Sequence, residues 1–180
     1  MKIAVLGVGN ILFKDEGFGV FAVKYLQQNY KFDPEIQLID GGTGGFKLIE
    51  YFQDYDYVIL LDVISVNDKA GSIYRIEGEN LASLSSYHQT AHEVEVLQMI
   101  DLAALGGKSA KVVVLGIVPE DITKTEIGLT SSLEKVFESF INLVLKEIDS
   151  LGVKYEKINS KSLQDVVIDF IGSYNDVRSF

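Results

Sequence analysis

The chain has 180 residues, with 26 acidic against 16 basic side chains, no cysteine and two histidines, His88 and His92. The missing thiols exclude disulfides, zinc fingers, iron–sulfur ligation and cysteine nucleophiles, and two histidines exclude a three-histidine metal centre. A formal charge of −10 repels phosphate backbones and anionic bilayers, so nucleic acid and membrane surfaces are poor partners. A chain of this length buries about 70% of its unfolded surface as one domain, which supports a core without staples. The first residues turn polar too early for a secretory apolar segment. No apolar run is long enough to span a bilayer. The expectation is a soluble cytoplasmic protein with no membrane insertion.

Ile3–Leu6 is a short apolar run stopped by glycine, which predicts a buried strand. From Gly17 to Tyr30 the residues Phe18, Phe21, Ala22, Tyr25 and Leu26 share one helical face. Ile36–Asp40 predicts a second strand, closed by the glycine-rich run Gly41-Gly42-Thr43-Gly44-Gly45, and Phe46–Phe52 a short helix. Tyr57–Ile64 is nearly all aliphatic, the composition of a central strand covered on both faces. A turn at 67–71 and the alternating run Ser72–Ile76 predict an antiparallel or edge strand. A helix follows over about 91–105, then a buried strand from Lys111 to Val118. A long helix runs from Thr130 to about Leu151, with Gly152 where a C-cap belongs.

This alternation predicts a three-layer α/β/α fold: a five-stranded, mostly parallel twisted sheet, one antiparallel edge strand, helices on both faces. Residues 1–152 form the α/β domain. Residues 153–180 are a C-terminal extension, read as a helix through Leu163, Val166, Val167, Phe170 and Ile171 that packs on the same domain or faces a partner.

Ligands of open α/β sheets bind beyond the carboxyl ends of the strands. That rule selects the segment after strand one, Asp40 with its glycines, Asp62, the segment holding His88 and His92, and Pro119-Glu120. Gly7-Val8-Gly9 invites a dinucleotide-binding reading, but Leu12 stands where the third glycine belongs, and Asp40 follows Gly9 by 31 residues, beyond the usual ~20. A nucleotide-binding or regulatory module without catalysis is therefore the alternative function.

Asp62 interrupts an apolar strand, so its carboxylate must be paired, protonated or metal-bound. It either caps loop N–H groups at the strand end or serves as an acid or metal ligand in the crevice. Glu16 lies over the same crevice or is an exposed or helix-N-terminal acid, and that second reading fits Asp15 better still. Asp40 is most simply a turn former before glycines. His88 and His92 have the spacing of a zincin pair, but Gln89 stands where such a motif needs Glu.

Gly7-Val8-Gly9-Asn10-Ile11-Leu12 followed by Asp15-Glu16-Gly17-Phe18-Gly19-Val20 resembles the opening signature of the nickel–iron hydrogenase maturation endopeptidases. Asp40–Gly45, Leu61-Asp62-Val63-Ile64, His88-Gln89 and Val114–Pro119 resemble that family's later motifs, in order. The resemblance implies a peptidase that removes a C-terminal extension from the hydrogenase large-subunit precursor after nickel insertion. It assigns Glu16, Asp62 and His88 as the metal-binding and catalytic residues. The nickel is expected to arrive with the precursor rather than to be held permanently, and no nucleotide is expected. Two oxygens and one imidazole are acceptable ligands for such an ion. A chain without thiols holds no soft ligand with which to strip it from the substrate. Asp40, Gly41, Gly42 and Thr43 are candidate substrate-binding residues, and His92, outside the pattern, reads as a helix-face residue.

Overall fold

The structure is a computed structural model that describes residues 1–80, 91–107 and 109–177, and for 91–95 and 174–177 the backbone alone. In chain order the elements are β1 (Ile3–Val8), α1 (Phe18–Asn29), β2 (Tyr30–Asp33), β3 (Gln37–Gly42), α2 (Ile49–Asp54), β4 (Tyr57–Val63), β5 (Ile73–Glu77), α3 (Ala91–Leu105), β6 (Lys111–Ile117), α4 (Ser131–Ser150), β7 (Lys154–Lys157) and α5 (Leu163–Val177). Single 3-10 turns at Lys14–Gly17 and Gly45–Leu48 precede α1 and α2.

Five strands form one sheet in the order β3-β1-β4-β6-β5. Every pairing is parallel except β5 with β6, which places the antiparallel strand at the edge, as its short return from β4 predicts. All six residues of β1 are buried, as are all but the last of β4 and the first of β6. These are the continuous apolar runs that a sheet covered on both faces requires.

One face carries α1, α4 and α5, and its core includes Phe18, Phe21, Phe137, Phe140, Val166 and Leu61. The other face carries α2 and α3 over Leu6, Leu60, Phe52, Met99 and Val114. Strand alternation divides β4 between them: Ile59 and Leu61 face the first core, and Val58 and Leu60 the second.

Two features depart from expectation. Residues 46–52 begin as a 3-10 turn, and the α-helix runs on to Asp54. More substantially, β2 and β7 pair as a separate antiparallel ribbon, which no apolar pattern announces, because all four residues of β7 are exposed. Edge-to-face contact between Tyr30 and Tyr155, with ring centroids 6.0 Å apart, supports it. The extension beyond residue 152 is thus a strand and a helix. Leu163, Val166 and Val167 are buried, and Phe170 meets Phe21 at 5.5 Å. Asn29, fully buried at the end of α1, latches the approach to α5: its amide donates to Lys161 O (3.1 Å) and its Oδ1 accepts from Lys161 N (2.8 Å).

At the end of the sheet where β4 begins, Glu147 of α4 is held by the edge strand. Arg75 of β5 donates to it through Nε (2.8 Å) and a terminal nitrogen (3.0 Å), and Tyr57 donates through its hydroxyl (2.8 Å). The Arg75 bonds, reinforced by Tyr57 and opposed by burial, keep the Glu147 carboxyl below its ordinary value of 4.5. Burial and the bond to Glu147 push Tyr57 up to about 12. A carboxylate with a depressed folded pKa contributes stability above its unfolded value, and loses it as pH falls through the folded one. Glu147→Gln is therefore expected to cost about 1–3 kcal/mol at pH 7 and to flatten the stability profile below pH 4.5. Urea unfolding from pH 7 to pH 3 measures both, and an unchanged acid limb contradicts the linkage.

Candidate functional site

At the carboxyl rim the strand ends come in the order Asp40–Gly42 of β3, Val8 of β1, Asp62–Val63 of β4 and Ile117 of β6. The connection after β1 leads by α1 towards β3, and the connection after β4 leads to the opposite edge, so the sheet's switch point falls between β1 and β4. Glu16 follows β1, and Asp62 is the last residue but one of β4.

Local backbone chemistry holds Glu16 there. Asn10 folds the loop, its Oδ1 accepting from Leu12 N at 3.0 Å and its carbonyl from Phe13 N at 3.1 Å. Gly9, at φ 130°, abuts the next turn so closely that a Cβ would fall 1.8 Å from Glu16 O. Glu16 N donates to Phe13 O at 3.0 Å, closing the 3-10 turn, and that turn packs against β4. Glu16 is half-buried.

Asp62 is 3% exposed, and its Oδ1 accepts from Val63 N at 2.8 Å. By alternation it shares the α2–α3 face with Leu60. Its cross-strand partner on β6 is Gly116. The Ile64 side chain fills the space above that glycine.

Asp40 lies one strand beyond β1 and is exposed. Its Oδ1 accepts from Gly42 N at 3.1 Å, the turn-forming bond its sequence context predicts, and its Oδ2 lies 3.7 Å from Lys24 Nζ. Gly9 N donates to Gly42 O at 2.9 Å, which ties the glycine-rich loop to the loop bearing Glu16. Thr43 and Phe46 are exposed on this loop.

Asp15 corrects half of the sequence reading. It lies in the turn that leads into α1, as a helix-N-terminal acid would, but it has no exposed surface at all. Its carboxylate accepts from Glu120 N, Asp121 N, Thr130 N and the Thr130 hydroxyl at 2.7–3.0 Å. Backbone N–H partners this remote in sequence leave no pattern from which Asp15 could have been singled out.

His88 lies outside the described residues, as does the side chain of His92. Among the described residues no three His, Asp or Glu side chains stand close enough to hold an ion. The helix that follows His88 is described. α3 packs against the Gly45–Leu48 turn and α2, and its far end meets Gln53 near the start of β6. At about 1.5 Å per residue its 15 residues span about 22 Å, so α3 starts towards the carboxyl rim. No helix among the described residues is long and apolar enough to cross a membrane.

An open α/β sheet with a buried carboxylate and a loop-borne one near its switch point has a crevice in which ligands of such sheets bind. The profile of the hydrogenase maturation protease family matches residues 20–147. The chain is 30% identical over 167 residues to the hydrogenase 2 maturation protease of Escherichia coli K12, covering 92% of this chain and 100% of that protein. The solved E. coli hydrogenase maturating endopeptidase HybD superposes with a TM-score of 0.81 at 29% identity, covering 88% of this chain and 98% of that one. A hydrogenase 2 maturation peptidase from a Thaumarchaeota archaeon gives 0.61 at 26% identity, covering 84% and 99%. The chain belongs to the hydrogenase maturation protease family and is a peptidase.

Gly9→Ala is expected to displace the Glu16 turn. The strained backbone alone costs about 1–3 kcal/mol, and misplacement of a site group costs about 10²-fold in peptidase rate. Both are measured well below the variant's melting temperature. Full activity in a destabilised Gly9→Ala protein would show that the Glu16 position is unimportant.

Proposed function

We propose that this peptidase removes a C-terminal extension from the large-subunit precursor of a nickel–iron hydrogenase once nickel has been inserted, and that it recognises the precursor by its nickel. Glu16, Asp62 and His88 are the proposed ligands and catalytic residues. The observation that carries this reading is the buried Asp62 carboxylate near the carboxyl end of β4, the strand against which the turn that bears Glu16 packs. The start of α3 towards the same rim, three residues after His88, supports the third member.

The proposed nickel is part of the substrate. Docking it on two oxygens and an imidazole leaves coordination positions for groups of the precursor, and the scissile peptide is thereby fixed over the crevice. A water molecule adds to the scissile carbonyl carbon, the C–N bond breaks, and the proton lost by the water passes to the leaving amine. The water is activated by the metal, by Asp62 as general base, or by both. A metal brings the pKa of bound water from 15.7 to about 7, and a positioned base contributes about 10²–10⁴-fold. The glycine-rich loop is the proposed seat of the substrate backbone. Asp40 shapes it, Gly41 and Gly42 leave room for a close approach, and exposed Thr43 offers a hydroxyl.

Incubation with a nickel-loaded, uncleaved precursor is expected to shorten that subunit at its C-terminus by mass spectrometry. Nickel-free precursor should remain intact. Asp62→Asn and His88→Ala should each reduce the rate by at least about 10²-fold. Cleavage at the parental rate in both variants would remove the residue assignment even though the peptidase stood.

A further inference from the structure

The carboxylate with no exposed surface among the described residues is not Asp62 but Asp15. Its Oδ2 accepts from Glu120 N (2.9 Å), Asp121 N (3.0 Å) and Thr130 Oγ1 (2.9 Å), and its Oδ1 from Thr130 N (2.7 Å). These four donors use the acceptor capacity of an ionised carboxyl, and they come from both ends of the segment joining β6 to α4. Its own amide donates to Asp121 O at 3.0 Å. The middle of the segment is fastened to the same loop: Lys14 N donates to Glu126 O (2.9 Å), Glu126 N to Leu12 O (3.0 Å), and the Lys14 ammonium pairs with the Glu126 carboxylate. The loops that follow β1 and β6 are therefore one body, with Asp15 as its central bond.

The residue after Asp15 is Glu16. Resting on the reading of Glu16 as a site ligand, we propose that Asp15 is a positioning residue: it clamps the peptide carrying Glu16 to the 119–130 segment and so fixes where the Glu16 carboxylate is presented. A buried charge is costly to keep at a place where a neutral turn would close the loop. What the charge adds is short, stiff bonds to several donors. Stiffness matters where a ligand must be held within about 0.5 Å of its working position. Gly9 closes the turn from its other side against Glu16 O, so the backbone of Glu16 is confined from two directions.

A double-mutant cycle separates positioning from mere stabilisation. Parent, Asp15→Asn, Glu16→Gln and the double variant are compared for cleavage of nickel-loaded precursor, well below the lowest of their melting temperatures. Calorimetric titration with Ni(II) alone supplies the same cycle where cleavage is too slow to read. Asp15→Asn is expected to lose about 10–100-fold, Glu16→Gln at least as much, and the double variant no more than Glu16→Gln. Losses that multiply, or parental activity in Asp15→Asn, overturn the positioning role and leave Glu16 in place. A fully active Glu16→Gln instead overturns the underlying site reading, visibly in the single variant.

Thr130→Val repeats the cycle with one hydroxyl donor removed and no charge change. It should lose about threefold, only when Glu16 is present, and Thr130→Ser should restore the parental rate. Should Asp15→Asn fail to fold, this second cycle decides alone, and a Thr130→Val loss that persists in the Glu16→Gln background refutes the proposal.

Discussion

Two backbones meet where α1 crosses the ends of β1 and β4, at a separation that no side chain permits. A Cβ on Gly7 would lie 2.2 Å from Gly19 O, and one on Gly19 would lie 2.1 Å from Leu61 O. This contact brings the helix start down onto the sheet at its switch point. Because the 3-10 turn bearing Glu16 runs directly into α1, the same contact determines how closely that turn can approach Asp62. The remaining rim is built around it: the glycine-rich loop is tied to Gly9 by a backbone hydrogen bond, and the 119–130 segment is clamped by Asp15. The fold delivers a carboxylate from a strand end and another from a loop confined on both sides, the rigidity that the proposed ligand set demands.

Buried polar groups fasten the elements to one another. Glu147 is paired with Arg75 and hydrogen-bonded by the Tyr57 hydroxyl at the amino end of β4, where it fastens the antiparallel edge strand to α4. Asn29 satisfies the chain entering α5. Asp15 is satisfied entirely by donors from one segment. These three groups use their polar atoms to close the structure, each in a place where an unpaired group would be costly. Asp62, the fourth buried polar group among the described residues, accepts from Val63 N near the carboxyl end of a central strand.

The sheet was legible because its strands are buried on two faces. Uninterrupted runs such as Val58–Leu61 and Val112–Leu115 admit few alternatives, and the short link after β4 foretells an edge strand, although β5 pairs with β6 and not with β4. The α1 and α4 faces follow from helical spacing. The β2–β7 ribbon was not legible, since four exposed residues pairing with a strand that buries one aromatic leave no alternation to detect. The rim was half-legible. The carboxyl-end rule locates Glu16, Asp40 and Asp62 without reference to any family, and the glycines after Asp40 disclose its turn. The burial of Asp15 was not legible because an acid beside a helix start normally faces water, and its backbone partners are amides 105 to 115 residues away. Tertiary hydrogen bonds to backbone carry no residue code.

The central claim is that Glu16, Asp62 and His88 converge on one transition-metal ion. Anomalous diffraction at the nickel edge, from crystals of this protein soaked in Ni(II), tests it most directly. One peak is expected between the two carboxylates and the imidazole, with ligand distances of about 2.0–2.2 Å. A peak elsewhere, or Glu16 and Asp62 held too far apart to share an ion, would contradict it.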